Sequence, residues 1–475
     1  MTFASLEYII FFPIVYFVYW VACRKNKNLQ NLIIIIASLV FYGWWDWRFL
    51  GLLLTTATST YLACLLMKKY TTCESRRKTI SILCILLNVG ILFYFKYFNF
   101  FIDSFYDAFS LFGNEISSSS LKIILPIGIS FYTFSALSYS IDVYQRKIEA
   151  TSDMLAYFAY IMFFPSILSG PISRAQNQLP QYFHVRLFDY QKAVNACKMI
   201  LIGGIMKFCL ADRIGIYVDA VYSNIMQHNG TTLLFTSILY SIQIYGDFAG
   251  YSLIAIGSGA LLGIDLPTNF VRPYFAKTIT EFWRRWHISL TTWFRDYIYF
   301  PLGGNRVSRS RWVTNTLIVF IVSGLWHGAA YTYIIWGALH GVFMIIERLI
   351  YKDKIKQIDT NLSVINVMRM LLTFTIVNFA WIFFRAESLN DAKLIVSKIF
   401  TDSSGIFLDV DTLAYSFIFL VVVFLIDFVE EFYKGKVLLM NSRHTLIRWT
   451  TYVISIVCIM LFGVLDGGSF IYFQF

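Results

Sequence analysis

Apolar stretches of bilayer-crossing length recur along the whole chain, and the polar intervals between them are short. The candidate spans, with soft boundaries, are 6–22, 31–45, 49–67, 80–95, 122–142, 155–171, 195–211, 232–246, 249–264, 313–326, 330–350, 366–384, 413–430 and 446–464. A hydrocarbon core about 30 Å thick needs about 20 such residues in a helix. Several runs are shorter, so the pattern predicts about 11–13 true crossings, with the rest re-entrant or buried. In hydrocarbon every backbone N–H and C=O has to be bonded within the protein, so the runs are predicted to be helices. The fold class that follows is an all-α polytopic integral membrane protein with re-entrant and interfacial helices. Pro165, Gly170 and Pro171 should break the helix over 155–171.

The longest polar intervals (102–120, 172–194, 266–281, 303–312, 351–365 and 386–411) leave no room for a separate soluble domain. Any chemistry must then be built from membrane helices and their loops. One integral domain, 1–475, is expected: N-terminal spans over 1–120, a core over 121–350, and C-terminal spans over 351–475. The core holds nearly all the polar residues that sit in apolar surroundings.

Composition sharpens this picture. Only 14% of the 475 residues are charged and 58% are hydrophobic, whereas a soluble domain carries about 25% charge. The formal charge of +11 would suit a nucleic-acid partner, but the basic residues follow loop topology and need none. They cluster at 23–28, 67–79 and 144–147, while 102–120 has three acids and no base. Placing the N-terminus outside puts the basic clusters in the cytoplasm. A multi-pass protein of the cytoplasmic membrane, in contact with its lipids, is the expectation. The run at 6–22 lacks a basic n-region and a cleavage site, so it reads as a retained span. The seven cysteines show no C-x-x-C spacing, hence no zinc site or disulfide framework.

Chemistry is sought first among the six histidines. His184, His228 and His444 lie in polar loops or at span edges and read as ordinary exposed residues. His327 and His340 lie in "SGLWHGAAYTYIIWGALHG" (323–341), and no Asp, Glu, Lys or Arg occurs between Arg311 and Glu347. Burial favours the neutral imidazole, which can accept a proton. Ser323, Gly324 and Gly328 permit close backbone approach or a break beside His327. On a continuous helix His340 would sit about 140° round and about 20 Å along from His327, too far for a stacked dyad.

The second constellation is "TITEFWRRWHISLTTWFRDYIYFPLGGNR" (278–306). Thr278 and Glu281 form a capping-box pattern and Glu281–Arg285 an i,i+4 pair. The mixture of tryptophans with Arg284, Arg285, His287, Arg295 and Asp296 predicts an interfacial helix, stopped at Pro301 and Gly303–Gly304. The three arginines suit phosphate, whether of a lipid headgroup or of a phosphorylated cofactor. Gln243, Asp247, Arg174, Asp296, Asn305 and His340 are further candidates for lining a cavity or for structural pairing.

Six stretches together resemble the membrane-bound O-acyltransferase superfamily. The closest likeness is to its bacterial branch that O-acetylates alginate and other cell-envelope polysaccharides. They are "FFPSILSGPISR" (163–174), "YGDFAGYSLIAIG" (245–257), "FWRRWHISLTTWFRDYIYFPLGGN" (282–305), "SGLWHGAAYTYIIWGALHG" (323–341), "NFAWIFFRAESL" (378–389) and "FIYFQF" (470–475), in the family's order. The resemblance implies a ring of helices enclosing a tunnel, with an essential histidine, here His327, near its neck. It places the family's other polar signature position at His287. It implies acetyl-CoA as a cytoplasmic acyl donor, no tightly bound cofactor and no metal. The acceptor would be an extracytoplasmic polysaccharide or an exported esterase-like partner protein. Arg284, Arg285 or Arg295 would hold the donor's phosphates. Two other readings stay open from the residues: a transporter or flippase of an envelope glycan, and a scaffold of an envelope-assembly complex in which His327 is structural.

Overall fold

The structure is a computed structural model that describes residues 1–475 except 4, 24, 111–122, 352–361, 435–438, 466–469 and 472–475, together with the side chains of 107–110. Most of the acidic interval expected outside the membrane, and the last four residues of "FIYFQF", therefore lie outside the described residues. Among those described, the ordered elements are all helical and no strand occurs. The chain falls into two compact units, Met1–Ala196 with Ser258–Pro267, and Cys197–Gly257 with Thr268–Phe475.

The first unit holds α1 (Leu6–Ala22), α2 (Lys27–Gly43), α3 (Leu50–Lys69), α4 (Glu74–Ser110), α5 (Ile129–Tyr144) and α6 (Met154–Ile161), then two single turns, α7 (Phe164–Ile167) and α8 (Ala175–Gln178). The break expected at Pro165–Pro171 is present. Side chains begin the helices by taking orphan N–H groups: Ser5 accepts from Tyr8 N, Asn26 from Leu29 N and Asp153 from Ala156 N. Buried polar groups tie the unit together, as where the Gln30 amide donates to Arg186 O and accepts from Arg186 N, each at 3.0 Å.

The chain leaves this unit within α9 (Tyr190–Gly204). The second unit holds α10 (Asp212–Tyr222), α11 (Gly230–Leu261) as far as Gly257, α12 (Ile279–Arg285), α13 (Ile288–Phe294), α14 (Arg309–His327), α15 (Tyr331–Tyr351), α16 (Val364–Arg385), α17 (Leu389–Thr401), α18 (Val410–Tyr433) and α19 (Thr445–Phe462). Wider π turns follow α9, at Ile205–Ala211, and α13, at Arg295–Tyr299.

Seven helices among the described residues are long and apolar enough to cross a membrane: Trp47–Lys69, Glu74–Tyr106, Tyr190–Tyr222, Tyr331–Tyr351, Val364–Arg385, Val410–Tyr433 and Thr445–Phe462. Helices α1 and α2 are apolar and slightly shorter. The outer faces are greasy: Ile454, Val457, Met460 and Leu461 of α19 are all exposed. A continuous apolar face of this kind belongs in lipid, so the protein is a multi-pass membrane protein.

Candidate active site

The site is assembled within the second unit from three pieces of backbone that are not regular helix. The first is the turn after His327. Helix α14 ends at His327, Gly328 has extended backbone (φ −162°), and α15 starts at Tyr331. The chain doubles back there, and glycines let the two helices touch backbone to backbone: Gly324 lies against the Tyr333 carbonyl, and Gly337 against the Phe320 carbonyl. Close packing through small residues is how membrane helices gain dispersion contact. The continuous helix assumed for placing His340 relative to His327 is therefore replaced by a hairpin. Both histidines meet Trp336, at ring-centroid distances of 4.9 Å for His327 and 5.1 Å for His340.

The second piece is the join between α12 and α13. Thr278 caps α12, accepting from Glu281 N at 3.0 Å, and Arg285 pairs with Glu281 at 2.6 Å, as the sequence predicts. The single interfacial helix expected over this segment is interrupted, however. Trp286 is extended and His287 adopts left-handed backbone, φ 42° and ψ 53°. Such a conformation costs a non-glycine residue about 1–3 kcal/mol and needs support from its surroundings. The support is the third piece, the loop around Asn269. Ile288 N donates to Asn269 O at 2.9 Å and Val271 N to Arg285 O at 2.9 Å.

These pieces bring His287 and His327 together, with ring centroids 6.5 Å apart. His327 is 2% exposed and His287 fully buried. Trp326 and Phe384 also flank His327, at 5.0 and 5.3 Å, and Phe248 stands edge-on to His287 at 4.7 Å. Burial in this aromatic shell lowers the His287 pKa to about 3, so its ring is neutral. His340, fully buried, accepts from the Trp283 indole N–H at Nδ1, 3.3 Å away.

The other sequence candidates scatter. Arg285 is held by Glu431, at 2.9 Å, as well as by Glu281. Arg295 pairs with its neighbour Asp296 at 2.7 Å. Arg284 is exposed, as is Asn305. Arg174 belongs to the first unit, as the N-cap residue of α8. Gln243 is buried on α11 against Gly215. His184 and His444 are exposed and His228 half-buried, in keeping with their loop positions.

Asp247 sits in a charge cluster whose other members the sequence did not reveal. Lys207, in the π turn, contacts Asp212 at 2.5 Å and Asp247 at 2.6 Å, with all three side chains nearly buried. Ile471 N donates to Asp247 Oδ2 at 2.8 Å, which fastens the C-terminal segment to α11. Asn269 is the other residue missed. Its side-chain oxygen lies 3.2 Å from His287 Nδ1 and accepts from Ser289 N at 3.2 Å and Ser289 Oγ at 2.9 Å.

A cavity of about 410 Å³ lies elsewhere in this unit, walled by Tyr245, Tyr274, Phe374, Val423 and Phe424 among others. Asp427 in its wall accepts from Tyr245 Oη at 2.7 Å. The ring of Trp286, the residue before His287, is 6.4 Å from Tyr245 and 6.2 Å from Tyr274 of the cavity wall.

Two buried imidazoles enclosed by aromatic rings, that of His287 neutral, are suited to moving a proton in a dry setting. Residues 39–384 match the model of MBOAT, the membrane-bound O-acyltransferase family. The chain belongs to that family. It is 36% identical over 402 residues to the "Probable alginate O-acetylase AlgI" of Pseudomonas aeruginosa, covering 84% of this chain and 75% of that protein. It is 32% identical over 413 residues to the "Peptidoglycan O-acetyltransferase" of Helicobacter pylori, covering 80% and 76%. A likeness of 30% over 286 residues links it to the "Teichoic acid D-alanyltransferase" of Bacillus subtilis, covering 56% and 70%. The MBOAT chain described here is thus a membrane O-acyltransferase, and both histidines fall inside the matched region.

Proposed function

We propose that this enzyme moves an acetyl group from a cytoplasmic thioester, acetyl-CoA, to hydroxyls of an extracytoplasmic polysaccharide, directly or through an exported partner protein. The observation that carries the reading is the buried His287–His327 pair, 6.5 Å between ring centroids, inside the region matched by the family. In the proposed step, neutral His327 takes the proton of the acceptor hydroxyl as its oxygen attacks the thioester carbonyl. The C–O bond forms, the tetrahedral oxyanion collapses, and the C–S bond breaks. The thiolate leaves and recovers the proton from the imidazolium. Base help of this kind is worth about 10²–10⁴ in rate. His287 works beside it through a hydrogen bond from the reacting groups.

The acetyl group is favoured because relatives named as O-acetylases cover most of this chain, whereas the D-alanyltransferase covers less of it. With His327 only 2% exposed, turnover requires an opening in the aromatic shell. The test is His327→Ala, assayed for acyl transfer to exported glycan at equal protein level in the membrane. The expected result is loss of transfer. Native transfer would refute the proposal, and failure to reach the membrane would assign His327 a structural role. Protection of the native protein from imidazole carbethoxylation by acetyl-CoA would establish access of the donor to the histidine.

A further inference from the structure

Asn269 lies in "LPTNFVRP" (266–273), a stretch with the look of an ordinary loop, yet it is fully buried. Its contacts settle which way round its amide lies. Ser289 N is a backbone donor and can face only an acceptor, and the atom it faces at 3.2 Å is Oδ1. The other end of the amide, Nδ2, donates to Ser252 Oγ at 3.3 Å. The atom 3.2 Å from His287 Nδ1 is therefore a carbonyl oxygen. A bare ring nitrogen has no attraction to that oxygen, so Nδ1 must carry the hydrogen. A neutral imidazole holds one N–H, and Nε2 is left with its lone pair.

We infer that Asn269 is a positioning residue that locks His287 as the Nδ1–H tautomer, with Nε2 turned into an acceptor, and that holds the left-handed turn presenting it. The two tasks are joined in one residue. Its main-chain oxygen takes Ile288 N, and its side-chain oxygen takes Ser289 N, Ser289 Oγ and His287 Nδ1. The ring and the two residues that follow it, Ile288 and Ser289, are thus bound to a single residue. The arrangement serves as the partner that fixes ring orientation and proton placement for a working histidine. The inference rests on the reading that His287 works beside His327. Among the described residues, the rings of Phe248, Phe270, Trp326 and His327 lie around His287.

The test uses full-length protein labelled with ¹⁵N-histidine in lipid, with His287→Gln identifying the His287 signals. In native protein Nδ1 should be protonated and Nε2 not. Asn269→Asp keeps an acceptor in the same place and should keep that tautomer and most of the turnover. Asn269→Leu removes the acceptor. There the Nε2–H form should appear and kcat should fall about 10²-fold, the scale of a misplaced reacting group, with KM little changed. Native protein with the proton on Nε2, or Asn269→Leu with an unaltered tautomer or native kcat, would overturn the inference. If Asn269→Leu does not reach the membrane, the native and Asp spectra still decide it. Full activity of His287→Ala would remove the catalytic role of His287 while leaving the tautomer result standing, so the two failures are separable.

Discussion

Replacing Gly324 by alanine tests whether the contact between α14 and α15 sets the position of His327. An added methyl would stand 3.0 Å from the Tyr333 carbonyl carbon, nearer still to its oxygen, and 3.4 Å from Ile334 Cα. Carbon atoms rest at about 3.5–4.0 Å, so the hairpin must open by roughly 0.5–1 Å. The obstacle is backbone, which cannot swing aside as a side chain would. Gly337 gives no slack on the facing helix, since its own Cβ position lies 3.3 Å from Gly324 Cα. Overpacking of this kind costs about 1–3 kcal/mol. The shift falls one turn before His327, and a reacting group displaced by about 1 Å loses about 10²-fold in rate. Gly324→Ala should therefore lower Tm modestly in detergent and cut acyl transfer per membrane-embedded molecule by about 10–100-fold. Gly90→Ala on α4, with open space around the new methyl, should do neither. Native Tm and native turnover in Gly324→Ala would refute the claim that this contact places the histidine.

Other consequences can be measured in the same preparations. Lys207→Met leaves Asp212 and Asp247 buried without their cation and should cost about 3–5 kcal/mol, read as a fall in Tm that adding Asp212→Asn and Asp247→Asn largely restores. Glu431 holds Arg272 at 2.8 Å and Arg285 at 2.9 Å, whereas Glu430 reaches Arg272 only at 4.0 Å, so Glu431→Gln should lower Tm more than Glu430→Gln. The His287 pKa is depressed to about 3 in the folded protein against about 6.5 unfolded. The unfolded chain then gains its proton first, and the group's stabilising contribution, full above about 6.5, is lost as pH falls toward 3. Tm should drop between pH 7 and 5, and a drop equally steep in His287→Gln would count against this assignment.

What could be seen in the chain beforehand depended on how local the cause was. The apolar runs, the Thr278 cap, the Glu281–Arg285 pair and the exposure of His184 and His444 each follow from neighbours within a turn or two, and the structure has them. His287 in left-handed backbone has no local signature, because its support comes from Asn269, 18 positions away. Lys207 lies in the apolar run 195–211, with Asp212 five residues further on. Its second carboxylate, Asp247, is on another helix, and sequence spacing carries nothing of that pairing. The hairpin at Gly328 was hidden because "SGLWHGAAY" can be read either as a glycine-tolerant helix or as a turn. Only the backbone contact of Gly324 with Tyr333 decides between them.

The distribution of charge around the histidines bears on how the proposed reaction would work. Two of the three arginines expected to hold donor phosphates already face carboxylates, Arg285 at 2.6–2.9 Å and Arg295 at 2.7 Å. A phosphate would have to displace those charge-assisted contacts. Arg284 makes no ion pair among the described residues and is exposed, so it is the arginine best able to meet an anionic donor. The histidine pair sits among the rings of Trp326, Trp336, Phe384 and Phe248. Oxyanion stabilisation there would fall to N–H dipoles, which act strongly where water is excluded. The same enclosure penalises an imidazolium once it forms, so the proton cannot rest on the base and must be passed on quickly. A departing thiolate can take it, which a carboxylate leaving group would do far less readily at neutral pH. A thioester donor is thus the acyl source whose leaving group best resets a buried neutral histidine.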